Sequence, residues 1–72
     1  MIEFIKKKIR LYLLRSQAKS LGIFWTNELT SDPKLWYYSL ETYSFEGEIH
    51  HKFTRPWDSE EQCLLEGIRE RG

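Results

Sequence analysis

The side chains best suited to chemistry in this 72-residue chain crowd into residues 41–52, ETYSFEGEIHHK. His50 and His51 are neighbours in what reads as a strand, and neighbouring strand residues point to opposite faces, so they do not chelate one metal between them. No metal or other cofactor is expected. On the face that the strand period leaves wet, His50 lies across from Tyr43 and diagonal to Glu41 and Lys52. A carboxylate, an imidazole and a cation so grouped are what general acid–base cleavage of a phosphodiester requires. The same grouping arises on any hairpin of mixed charge, and nothing in the sequence implies a cleft around it, so a non-catalytic protein is expected. His51 falls beside the core, where a structural histidine is the default. Tyr37 and Tyr43 could stack bases, but Glu41 between them would repel a phosphate backbone.

Cys63 is the only cysteine, which excludes an intramolecular disulfide and suits a cytoplasmic setting. The helical period around it predicts exposure, and Glu60, Glu61 and Glu66 nearby would disfavour the thiolate, so the thiol is expected to be inert.

Charge is the other chemical signal. The formal net charge is zero, yet residues 1–24 carry six cations against Glu3, and residues 25–72 carry five cations against ten acids. The halves are therefore +5 and −5. The string Lys6-Lys7-Lys8 is no patch on a helix, because successive residues splay by about 100°. Lys8, Arg15 and Lys19 do align, over about 16 Å of helix, a reach suited to successive phosphates. They are the candidate nucleic-acid contacts.

These groups must be positioned by a small scaffold. One domain covers residues 1–72, and a chain of this size buries only about 60% of its unfolded surface. Aromatic content is 15%, enough for a compact core. The longest apolar run in the basic N-terminal segment is Leu11–Leu14, short of a secretory h-region, and nothing approaches the roughly 20 residues that span a bilayer.

Residues 2–20 lack Gly and Pro, and Gly22 stands where a left-handed cap would end a helix. GIFWTNEL, bounded by TSDP, reads as a short strand. Residues 34–55 read as a β-hairpin turning at Glu46-Gly47. A two-residue turn pairs Phe45 with Glu48, Glu41 with Lys52 and Leu40 with Phe53. It gathers Trp36, Tyr38, Leu40, Ile49 and Phe53 on the core face and leaves Tyr37, Glu41, Tyr43, His50 and Lys52 wet. A longer loop with a bulge would slip that register by one. Asp58 followed by Glu61 resembles a capping box, so a second helix should run from about Ser59 toward Glu70. The expected fold is α+β, in the order α-β-β-β-α with a small antiparallel sheet of two or three strands.

The first helix has apolar residues on two sides. Ile2, Ile5, Ile9, Tyr12 and Leu13 share one arc, the expected core face. Phe4, Leu11, Leu14 and Ala18 share the opposite one and form the candidate partner-binding stripe, for another protein or a second copy. A helix lying on a membrane needs one clean apolar face, and two partial ones argue against that role. The expectation is a small regulatory or interaction module acting through this helix, of a size common among phage and bacterial accessory proteins. Nucleic-acid binding is the alternative.

Overall fold

The computed structural model describes residues 2–72, with side chains from residue 5 onward. Helix α1 (Ile2–Ser20) is followed by β1 (Phe24–Thr26), β2 (Tyr37–Phe45), β3 (Glu48–Phe53) and helix α2 (Glu60–Arg71). The class is α+β, and the three strands form one antiparallel sheet in the order β1-β2-β3. The molecule measures 49 × 28 × 19 Å, so its thinnest dimension holds one helix layer on one sheet layer.

Helix α1 stops where glycine permits it. Gly22 adopts φ +75°, its N–H donates to Lys19 O, and the Ile23 N–H donates to Ala18 O at 2.9 Å. These two bonds make a Schellman cap, whose usual apolar contact is here Ile23 on Ala18, both buried. The cap decides which side of α1 faces inward. Ala18 is fully buried, and Leu11 and Leu14 pack against the core it shares with Ile23, Tyr38, Cys63 and Leu64. Of the candidate stripe, Ala18 is in the core, Leu11 and Leu14 are partly buried against it, and Phe4 lies outside the residues whose side chains are described. Ile5, Ile9, Tyr12 and Leu13, expected inside, face solvent.

The hairpin turns at Glu46 (φ 52°) and Gly47 (φ 80°), the positive angles that a two-residue turn matched to strand twist requires. Near the turn the expected register holds, with Phe45 opposite Glu48, Tyr43 opposite His50 and Thr42 opposite His51. Between Ser39 and Thr42 a bulge intervenes, and Phe53 pairs with Ser39 rather than Leu40. The buried Ser39 hydroxyl donates to Glu41 O at 2.7 Å, fastening the bulge from within. One extra residue moves Phe53 to the other face, where it meets Phe24 and Tyr37 at ring distances of 6.0 and 6.3 Å. Ile49 is exposed, also against expectation.

Helix α2 is capped by Ser59, whose hydroxyl accepts from the Gln62 N–H, one residue beyond the expected Asp58. Its Gly67 lies flat against the Tyr38 ring. That ring is also stacked by Trp57, and its hydroxyl donates to the Glu70 carboxylate. Burial and this hydrogen bond push the phenol up to about 12. A Cβ at Gly67 would stand 3.3 Å from two Tyr38 ring atoms and 3.5 Å from Ile23. Because Tyr38 is held on both sides, Gly67→Val should lower stability by about 1–3 kcal/mol in urea unfolding. Gly67→Ala should lose less, since the gain in helix propensity offsets part of the crowding.

Candidate functional site

Helix α1 is tied to α2 by polar contacts from Arg10 onward. Arg10 pairs with Glu61 at 3.0 Å, Arg15 with Glu60 at 2.6 Å, and Arg71 Nε donates to Leu21 O at 3.1 Å. The two helices therefore run parallel, with their C-terminal ends level. About 12 Å of α1 precedes Arg10 and runs past the start of α2.

Along the outer side of α1, Ile5, Ile9, Tyr12 and Leu13 are 55, 54, 70 and 59% exposed. They lie within one arc of the helix, and a shallow groove of about 290 Å³ runs beside them, lined by Lys6, Ile9, Arg10, Leu13, Leu14 and Gln17. Helical spacing sets Lys6 and Arg10 on one flank of this arc and Lys8, Arg15 and Lys19 on the other. Residues 5–20 contain six cations and no acid. The site is an apolar strip with basic margins on a helix whose opposite side anchors it to the body. With Ala18 buried and Leu11 and Leu14 packed partly against the core, the outer arc is the more exposed apolar side of α1, which weakens the ground on which membrane contact was discounted.

The candidate nucleic-acid residues divide. Lys8 and Lys19 are exposed on the same flank, and Lys19 shares a shallow depression with Tyr12, Arg15 and Ser16. Arg15 is committed inward: its Nε and Nη2 donate to the Glu60 carboxylate at 2.9 and 2.6 Å. Hydrogen bonding to Glu60 holds the guanidinium above its ordinary pKa.

The hairpin groups pair off in two polar contacts. His50 leans toward Glu48 at 3.6 Å and stacks on Tyr43 at 5.4 Å, while Glu41 sits 3.9 Å from Lys52. His51 stacks flat on Phe24 at 3.9 Å and shares a 3.0 Å hydrogen bond with Thr42 Oγ1. Cys63 is fully buried, not exposed, and burial followed by the Glu60 charge pushes its thiol up to about 12. Among the described residues no His, Cys, Asp or Glu group could hold a metal ion, and no helix is long and apolar enough to cross a membrane.

Sequence reasoning missed a second exposed apolar patch, at the hairpin tip. Tyr43 and Phe45, on one face of the hairpin, are 55 and 61% exposed beside Glu46 and Glu48, while Ile49, opposite Ser44, is 71% exposed on the other face. The signal was present in the acidic turn, SFEGEI, whose apolar residues have no helix long enough to cover them. No protein-family model, curated protein or solved structure matches the chain.

Proposed function

We propose that this protein is a non-catalytic interaction module that docks through the outer face of α1, using Ile5, Ile9, Tyr12 and Leu13. One observation carries the reading: four large apolar side chains, each more than half exposed, lie in one arc of a helix firmly anchored on its other side. Such a strip is larger than the scattered surface apolar residues of an ordinary monomer. It is also prepared to bind, because the helix is already formed and held, and little ordering entropy remains to oppose docking. Binding nucleic acid through the Lys8, Arg15 and Lys19 flank is the less favoured reading, since Arg15 is occupied by Glu60.

The test compares the intact chain with the double variant Ile9→Asp, Leu13→Asp as bait for protein and nucleic acid from the native host. Far-UV circular dichroism serves as the control for folding. The intact chain should retain protein, its own copies included, and the variant should lose it while keeping its helical signal. Equal recovery by both, or recovery of nucleic acid alone, would exclude the α1 face as the protein-docking surface.

A further inference from the structure

The two exposed patches lie at opposite ends of the molecule. Trp36 bridges to Trp57 just before α2 begins, Tyr38 lies against Gly67 and Glu70, and Leu40 and Glu41 share a cleft with Glu70 in the last turn of α2. Strand β2 thus advances alongside α2, and residues 42–49 continue beyond its C-terminal end. The free turns of α1 extend past the other end. At one pole a helix has no sheet beneath it, and at the other a hairpin has no helix over it.

Their chemistry is complementary. The helix end offers Ile5 and Ile9 with Lys6 on their flank, and the hairpin offers Tyr43 and Phe45 with Glu46 and Glu48. Residues 41–50 contain three acids and no Lys or Arg.

Resting on the docking role of α1 above, we infer that its occupant is the hairpin of a second copy of this chain. A two-fold axis across the long dimension lays each copy's free helix end over the other's bare hairpin. Both contacts are made twice and the assembly closes at a dimer. Helix on helix would instead oppose two basic margins, which costs affinity. Either patch alone is small, but the two-fold repeats the contact, so each copy contributes both its helix patch and its hairpin patch to the interface. An anionic bilayer is the poorer occupant: it would leave the hairpin patch uncovered, and a chain of zero net charge is not drawn to it at long range.

Sedimentation over a range of protein concentrations decides the matter. The chain, 8.8 kDa as a monomer, should approach twice that mass as concentration rises. Ile9→Asp on the helix and Phe45→Asp on the hairpin should each yield a monomer with unchanged far-UV circular dichroism. Mixing those two variants should restore a dimer, weakened at least tenfold, because one copy's intact helix still meets the other's intact hairpin. Glu48→Lys, at a highly exposed position, weakens the dimer without any demand on folding and serves if Phe45→Asp does not fold. A chain that stays monomeric throughout overturns the inference, and flotation of that monomer with phosphatidylserine vesicles would give the face to a membrane. A dimer lost in Ile9→Asp but untouched by both hairpin changes also overturns it, while leaving α1 as the docking element. A dimer indifferent to Ile9→Asp removes both readings.

Discussion

Leu11→Asp with Leu14→Asp is expected to unfold the isolated chain, whereas Ile9→Asp with Leu13→Asp is expected to leave it folded. The four residues belong to one helix and have similar polarity, so the contrast isolates which side of α1 is core. Leu11 and Leu14 pack on the cluster of Ala18, Ile23, Cys63 and Leu64, between α1 and α2. Each leucine is partly buried, so losing it removes up to about 2 kcal/mol of transfer free energy, and setting a carboxylate against the core adds a desolvation cost. A domain of this length rarely has more than about 3–5 kcal/mol in reserve, so two such changes exceed it. Ile9 and Leu13 already stand more than half in water, and their replacement removes little buried area. Thermal melts followed at 222 nm check both halves: no cooperative transition for the inner pair, and a midpoint near that of the intact chain for the outer pair. A folded Leu11, Leu14 variant would return that stripe to the surface and undo the assignment of faces.

The element order was legible because each element carries its own punctuation. Gly22 closes the first helix, Glu46-Gly47 folds the hairpin, and a polar run ending in Ser59 opens the last helix. The side of α1 was not legible from its wheel, since the outer arc holds more aliphatic bulk than the inner one. What settles the orientation lies outside the helix. The cap at Gly22 brings Ile23 back onto Ala18, and Glu60 and Glu61 draw Arg15 and Arg10 to the same side. Both signals are readable in principle, one as the apolar contact that accompanies a Schellman cap and the other as the acidic first turn of α2. The hairpin register failed at a single place for a comparable reason. Period-two counting has no term for a bulge, and Ser39, buried with its hydroxyl turned to Glu41 O, inserts one. The inward side assigned to α1 followed the wheel and not the cap, and the exposure of Ile49 was hidden by placing it in the core.

Glu60 is the residue whose loss should most change how α1 is held. Its carboxylate accepts from Arg15 Nε at 2.9 Å, from Arg15 Nη2 at 2.6 Å and from Trp25 Nε1 at 2.9 Å, tying α1 and β1 to the first turn of α2. The side chain is only 13% exposed. Burial by itself would raise its pKa, but the hydrogen bonds from Arg15 and Trp25, with the Arg15 charge, outweigh burial and hold it below the ordinary 4.5. A carboxylate depressed in the folded state contributes stability that is complete above about pH 4.5 and is lost as pH falls through the folded value. Glu60→Gln keeps an acceptor for Trp25 but not the charge, and Glu60→Ala leaves the indole N–H and the guanidinium without this partner. With Arg15 about half exposed and partly screened, the expected losses at neutral pH are about 1 kcal/mol for Gln and about 2–3 kcal/mol for Ala. The Ala change then lowers the melting midpoint by about 10 °C or more in a chain this small. Melts between neutral pH and pH 3 should show the intact chain losing stability below about pH 4.5, with a shallower fall for Glu60→Gln because one titrating anchor is gone. Since Arg15 stands on the helix proposed to dock, Glu60→Ala should also weaken any docking there more than its distance from Ile9 suggests, by loosening the support beneath that surface. Equal stability of Glu60→Ala and the intact chain at neutral pH would mean that the apolar contacts of Leu11, Leu14 and Ala18 hold the helix without the carboxylate.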